Sequence, residues 1–328
     1  MHRFRSSLPR LAAACAALSA TLALGCTGAL AQGWPQRSVR LVLPLGPGSG
    51  TDISARIISD KLAKAWGQPV VVENRPGGDS VVAISSVINA NDDHILLWGP
   101  SAAFTAHPYT HAKIPYDIRE IIPIVRVSNT LVVITVSNTL KATNMAELAQ
   151  QAREAPGKLN YASVTGLNDF LFQAFVKDAK LDMVRVPYRD AVQAANDAGE
   201  SRIQAFSSAY AISRPQVESG KIRPIAFTNT KRAEIMPGIP TVREAGFPAM
   251  EFDGMVGVFS TKVVDAAARR RISADVREAM KDQIVIDRLT ATGQVVNPGD
   301  SDEFVTAIED QRKVAAGAAK ILGIKAAE

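Results

Sequence analysis

From Arg40 to Arg56 the chain reads Arg-Leu-Val-Leu-Pro-Leu-Gly-Pro-Gly-Ser-Gly-Thr-Asp-Ile-Ser-Ala-Arg, and these residue types have the spacing of an anion cradle. Gly46, Gly48 and Gly50 let the backbone take positive φ and let a ligand approach the chain closely. A helix starting at Thr51 or Asp52 then offers unpaired N–H groups and a partial positive charge in its first turn. Strand, glycine turn and helix N-terminus together make an anion site. The same residues also fit a tight turn without a ligand, with Ser49 in the turn and Asp52 as the N-cap.

Four further polar loops follow predicted strands: Gly99-Pro-Ser101, Ser163-Val-Thr-Gly-Leu-Asn-Asp169, Pro187-Tyr-Arg189 and Ser207-Ser208. They offer Ser101, Ser163, Thr165, Gly166, Asn168, Asp169, Tyr188, Arg189 and Ser207. Arg189 has the planar fork for a bidentate carboxylate contact, or else pairs at the surface with Asp190 or Asp169. Ligands of α/β sheets bind off the carboxyl ends of strands, so five such loops point to a cleft between two domains.

Other chemistries fit less well. A dinucleotide fingerprint needs a third glycine where this chain has Thr51, although Glu73 ends the next strand as that motif requires. Neither Ser49 nor Ser163 lies in G-x-S-x-G. His107 and His111 have i, i+4 spacing, but Pro108 follows the first and no HExxH occurs, so they read as surface or loop histidines. Asn91-Asp-Asp93 reads as a solvated turn.

Apolar strand-like runs and helical patterns alternate around these loops. Val39–Leu43, 69–73 and 95–98 are predicted strands, with helices over 51–66 and from a Ser80 cap through 88 between them. The stripe Ile53, Ile57, Ile58, Leu62 and Trp66 marks the buried face of the first helix, and Gly67 ends it. A second α/β series runs from a strand within 129–139 through strands at 159–162, 183–186, 203–206 and 225–228. The chain then returns to a strand at 255–259, a long helix over 266–283, a short strand near Val295 and a closing helix capped by Ser301. This predicts two α/β domains with chain crossings near 128–136 and 252–259.

The 328 residues suffice for two domains of ordinary size, and 47% hydrophobic with 21% charged residues is a globular composition. The first 31 residues read as a Sec signal with Arg3, Arg5 and Arg10, an apolar stretch from Leu11 to Gly25, and Ala29-Leu-Ala31 before a cut at Gln32. Leu24-Gly25-Cys26 offers lipid anchoring as an alternative. Removing the three signal arginines lowers the formal charge from +5 to +2, and no basic run suggests nucleic acid. Both cysteines, Cys15 and Cys26, go with the signal, leaving neither disulfide nor thiol nucleophile.

A series of blocks resembles the extracytoplasmic receptors of tripartite tricarboxylate transporters, the Bug family. They are Trp34-Pro35, Pro44 to Gly48-x-x-x-Asp52-x-x-x-Arg56, Gly67-Gln-Pro-Val-Val-Val-Glu-Asn-Arg-Pro-Gly77, Pro115-Tyr-Asp117, Pro156-Gly-Lys-Leu-Asn-Tyr-Ala-Ser163, Val186-Pro-Tyr188 and Pro240-Thr-Val-Arg-Glu-Ala-Gly246. The resemblance implies a two-lobed, type II-like periplasmic binding protein, each lobe a mostly parallel sheet flanked by helices, with a two-strand hinge. It implies a small carboxylate held largely by backbone amides and waters of loops 46–52 and 163–169. It further implies no catalysis and no cofactor or metal, a monomer, and delivery to membrane permease subunits. This chain departs from the family pattern at Gly48-Ser49, at Asn91-Asp-Asp-His-Ile95, at Val164 to Phe170 and at Arg189-Asp190. Most of these positions fall in the expected cleft and bear on ligand identity.

The resulting expectation is a soluble periplasmic receptor, with lobe 1 over 32–130 and 254–328 and lobe 2 over 131–253. The alternatives are an exported α/β enzyme acting on a small acid through Glu73 or Asp52, and a ligand sensor for a membrane kinase.

Overall fold

Continuous apolar runs became buried strands, and stretches of helical period became helices laid against them. In chain order these are β1 (Val39–Leu43), α1 (Gly50–Trp66), β2 (Val70–Asn74), α2 (Val81–Ala90), β3 (Ile95–Pro100), α3 (Ala102–Thr110), β4 (Ile122–Thr130), β5 (Val132–Ser137), α4 (Met145–Glu154) and β6 (Leu159–Ser163). There follow α5 (Leu167–Asp178), β7 (Met183–Arg185), α6 (Ala191–Gly199), β8 (Ala205–Ala209), α7 (Tyr210–Glu218), β9 (Ile222–Phe227), β10 (Gly254–Ser260), α8 (Ala266–Ala279), α9 (Gln283–Thr290), β11 (Gln294–Gly299) and α10 (Ser301–Leu322). The structure is a computed structural model that describes residues 33–164, 166–188 and 190–327. The expected signal, with both cysteines, and the candidates Thr165 and Arg189 lie outside the described residues. Among the described residues no helix is long and apolar enough to cross a membrane.

The strands form a six-stranded sheet, order β11-β4-β10-β3-β1-β2, and a five-stranded sheet, order β7-β6-β8-β5-β9. Both belong to one compact unit spanning residues 37 to 328. The sheets are mixed, where the sequence predicts mostly parallel ones. β1 pairs parallel with β2 and β3, and β6 parallel with β7 and β8. β10 lies antiparallel to β3 and β4, β11 to β4, and β5 to β8 and β9. The physical reason lies in the connections. Every antiparallel pair includes β4, β5 or β10, the strands on which the chain passes between the sheets, so their directions follow from where the chain enters each sheet.

The two passages between the sheets are tied side by side. Gly254 stands opposite Thr130 in the β10–β4 ladder. The Asn229 side chain accepts from the Val132 N–H at 3.0 Å and donates to the Thr130 carbonyl and to Asp253, each at 3.0 Å. One amide therefore holds backbone groups of the first passage and the Asp253 side chain at the start of the second.

Each sheet has its own core. Val42, Ile84, Leu97, Phe104, Phe259 and Phe304 fill one, and Ile134, Leu148, Tyr161, Phe172 and Phe175 the other. A third cluster joins them, where Phe170 and Leu171 of α5 meet Ala106 of α3 and Ala315, Ala318 and Ala319 of α10. The rings of Tyr109 and Phe170 stack there with centroids 5.9 Å apart. The small alanine face of α10 lets α5 dock closely, and this docking places the loop that precedes α5.

Several local expectations change. The helix over 266–283 is two helices, because Asp282 caps α9 through the Ile284 N–H at 2.8 Å. The cap of α10 is Asp300, which forms a capping box with Glu303, while Ser301 is the first helical residue. Ser80 makes no side-chain cap for α2 and has φ 79°. The helix α3 and the strand β4 are unpredicted, since Pro108 and Pro123 interrupt their patterns. Pro123 is tolerated near the start of its strand, where a ladder N–H is least missed.

Candidate functional site

The β1–α1 loop is built around one carboxylate. Ser49 is the N-cap of α1, accepting from the Asp52 N–H at 3.2 Å, so the cap falls on Ser49 and not on Asp52. The Asp52 side chain turns back instead. It accepts from the Gly48 N–H at 2.9 Å, the Arg56 Nε at 3.1 Å and the Asn74 Nδ2 at 2.9 Å. Asn74 also donates to the Leu45 carbonyl at 2.9 Å, which ties the turn to the end of β2. Gly48 needs its glycine, having φ 83°. With the Gly48 N–H committed to Asp52, the donors left for an anion are the first N–H groups of α1, at Gly50 and Thr51. Gly50 abuts the Gln294 side chain, 2.7 Å from where a Cβ would stand, and Gly46 borders open space.

Burial pushes the Asp52 carboxyl upward, but hydrogen bonds from Arg56, Gly48 and Asn74 outweigh it and hold the group below its ordinary value of 3.8. A carboxyl with a depressed folded pKa contributes stability that is present above its unfolded value and lost as pH falls through the folded one. The melting temperature of the wild-type protein is therefore expected to fall more steeply than that of Asp52→Asn between about pH 5 and about pH 2. Parallel melting curves for the two proteins over that range would refute the assignment.

A similar arrangement precedes α5. Asp169 accepts from the Ser163 hydroxyl at 2.5 Å, from Gln173 at 2.8 Å, and from Arg185 at 3.1 and 2.7 Å. Asn168 and Ser207 form a reciprocal pair: Nδ2 donates to the Ser207 carbonyl at 2.9 Å, and the Ser207 hydroxyl donates to Oδ1 at 2.8 Å. The Val164 N–H adds a third link to the Ser207 carbonyl at 3.1 Å. Gly166 caps the helix with φ 88° and has no side chain to satisfy its first turn. Both candidate loops thus combine a helix N-terminus with an acidic residue matched by an arginine of its own lobe.

The other candidates are placed differently. Ser101 is fully buried, and its hydroxyl donates to Gln311 at 2.9 Å. The Tyr188 hydroxyl donates to Asp197 at 2.6 Å, and burial and this bond push its pKa up to about 12. Glu73, weighed as a catalytic group, pairs with Arg75 at 2.6 Å and Arg40 at 3.5 Å. Thr51 is buried at the start of α1.

His107 corrects the reading of surface or loop histidines, since it lies on α3 with no exposed area. Its Nε2 is 2.7 Å from the Asp79 carbonyl, which can only accept, so in the neutral ring Nε2 carries the proton. Nδ1 then accepts from the Tyr116 hydroxyl at 2.5 Å. Asp79, His107 and His111 bring ligand-type atoms within 4.8 Å of one another, but both His107 nitrogens are already engaged. Asp79, Arg185, Asn74 and Gln173 contact the candidate loops and were not singled out by the sequence. Only Asn74 carried a signal, within the block that ends at Gly77.

Asp79 also joins the two lobes. Its Oδ1 and Oδ2 lie 3.6 and 3.9 Å from where a Cβ on Gly166 would stand. The turn after β2, beside the turn after β1, thereby meets the turn after β6.

Two mixed sheets joined by paired passages, with polar turns meeting at their carboxyl edges, define the two-lobed α/β fold of periplasmic binding proteins. R. palustris Rpa4515, solved with adipate, has this fold at a TM-score of 0.80, with 25% identity over 89% of this chain and 99% of that one. The UPF0065 protein in the tcbD-tcbE intergenic region of Pseudomonas sp. (strain P51) is 29% identical over 265 residues, 79% of this chain and 79% of its own length. Protein BugT of Bordetella pertussis is 26% identical over 300 residues, 89% and 91% of the two chains. Residues 54–323 match the family described as "Tripartite tricarboxylate transporter family receptor". The chain belongs to that receptor family.

Proposed function

We propose that this protein is a periplasmic receptor that captures a small carboxylate between loops 46–52 and 163–169 and delivers it to the permease of a tripartite transporter. The observation that supports the reading is that Asp79, in the turn after β2, lies beside Gly166, the N-cap of α5, so that turns from the two sheets face each other. Free N–H groups at Gly50 and Thr51 supply the anion donors. In this reading lobe 1 covers 32–130 and 254–328 and lobe 2 covers 131–253, and the paired passages held by Asn229 act as the hinge. Adipate in the R. palustris relative is the right kind of ligand for such donors. Binding rather than turnover is favoured because Asp52 and Glu73 are already engaged by arginines.

The test is thermal melting of protein that has been unfolded, washed free of ligand and refolded. A ligand that binds only the folded state stabilises it by about 2.7 kcal/mol at a hundredfold excess over Kd. That corresponds to a rise of about 5–10 °C at roughly 2–4 °C per kcal/mol. A member of a panel of mono-, di- and tricarboxylates and amino acids is expected to produce such a rise, and its amide or ester is not. A panel that moves nothing refutes the carboxylate reading.

A further inference from the structure

A buried amide stands beside the start of α1. Gln294, the first residue of β11, is 2% exposed and lies opposite Thr130 in the ladder with β4. Its Oε1 accepts from the Ser128 hydroxyl at 2.9 Å and from the Thr130 hydroxyl at 3.1 Å. These two bonds from β4 fill the acceptor and turn the amide nitrogen the other way. Nε2 is the atom nearest to Gly50, 2.7 Å from where a Cβ would stand, with Cδ behind it at 3.6 Å. Among the described residues Nε2 has no acceptor. An amide NH2 carries two donors, and leaving them unmade in a buried position costs free energy that a bound acceptor would recover.

Gly50 opens α1, and the N–H groups of Gly50 and Thr51 precede the first intrahelical bond. Ser49 spends its hydroxyl on the Asp52 N–H, and the Asp52 carboxylate is bonded to Arg56. What the turn leaves open is therefore a set of neutral donors: two backbone N–H groups with the Gln294 amide beside them. The glycine is what allows this approach, because a Cβ at position 50 would collide with Nε2.

On the carboxylate-receptor reading, we infer that Gln294 is a ligand-binding residue, its Nε2 donating to the carboxylate that the Gly50 and Thr51 N–H groups hold. The bound carboxylate is then linked through Gln294 to Ser128 and Thr130 on β4, the strand that leads into the first passage between the sheets.

Isothermal titration of the refolded full chain with adipate, succinate, citrate, hexanoate and glutamate tests this on wild type, Gln294→Met and Gln294→Glu. Methionine keeps the length and bulk of the side chain without its donor, and so is expected to fold. Glutamate keeps the shape and an acceptor for both hydroxyls, but sets a carboxylate oxygen where the donor stood. A role confined to holding β4 predicts that glutamate is tolerated better than methionine, whereas a ligand contact predicts the reverse. Any acid of this set or of the wider panel that binds wild type is expected to bind Gln294→Met about tenfold more weakly and Gln294→Glu at least about a hundredfold more weakly. Melting curves without ligand establish that the titrated variants are folded. Gln294→Glu that binds as tightly as wild type, or more tightly than Gln294→Met, overturns the inference and leaves the receptor reading standing. Binding of no acid by wild type removes the receptor reading, and the inference with it.

Discussion

Asp52→Ala is expected to lower affinity for the carboxylate ligand by about a hundredfold or more, equivalent to about 2.7 kcal/mol. The deleted carboxylate holds the Gly48 N–H, Arg56 and Asn74 at once, and Asn74 in turn holds the Leu45 carbonyl. Without it, residues 46–50 must be ordered by the ligand at roughly 1–2 kcal/mol per residue fixed. Two or three loosened residues are enough for the predicted loss. Asp52→Asn retains an acceptor oxygen and the packing, so it should lose far less. Calorimetric titration of the three proteins, alongside their melting temperatures, separates loop ordering from general destabilisation. Equal affinity in wild type and Asp52→Ala would remove this residue from the site.

The second large effect is on stability and lies away from the cleft. A Cβ on Gly257 would stand 2.3 Å from Phe304 Cε1, 2.4 Å from Cζ and 2.7 Å from the Val125 carbonyl oxygen. Gly257 sits on β10 between β3 and β4, and the buried ring of Phe304 from α10 covers it. The backbone oxygen cannot move without shifting β4, so overpacking is not relieved by side-chain rotation. Gly257→Ala is expected to cost about 3 kcal/mol, the upper part of the usual overpacking range. Adding Phe304→Leu removes the ring clash but not the carbonyl clash, so the pair should be less destabilised than the sum of its singles. Urea unfolding of the four proteins measures this, and strict additivity would contradict the packing account.

Sequence legibility followed how local the cause was. The α1 stripe was readable because Ile57, Ile58, Leu62 and Trp66 repeat at helical spacing, and the structure buries all four. Its end was readable because Gly67 has φ 65°, the left-handed stop that glycine takes most easily. Ile53 was assigned to the same stripe and is only half-buried, since it lies in the first turn beside the loop. The cap of that helix was misread by three positions. Ser49 and Asp52 are both good N-caps by type, and only the backbone path decides which side chain reaches which N–H.

The amino-acid sequence by itself determined the alternation of strands and helices, the two α/β series and the glycine turn feeding a helix. Each depends on residues within a few positions of one another. Tertiary structure decided the mixed strand directions, because β4, β5 and β10 carry the chain between the two sheets and take their directions from where it enters each of them. It also decided the roles of Asp79, His107 and Arg185, whose partners stand 28 residues from Asp79 in the case of His107 and 16 from Arg185 in the case of Asp169. Asp79 meets Gly166 only because α5 docks on α3 and the alanine face of α10. A contact of that kind has no period and no local spacing, so it enters with the packing of the two lobes.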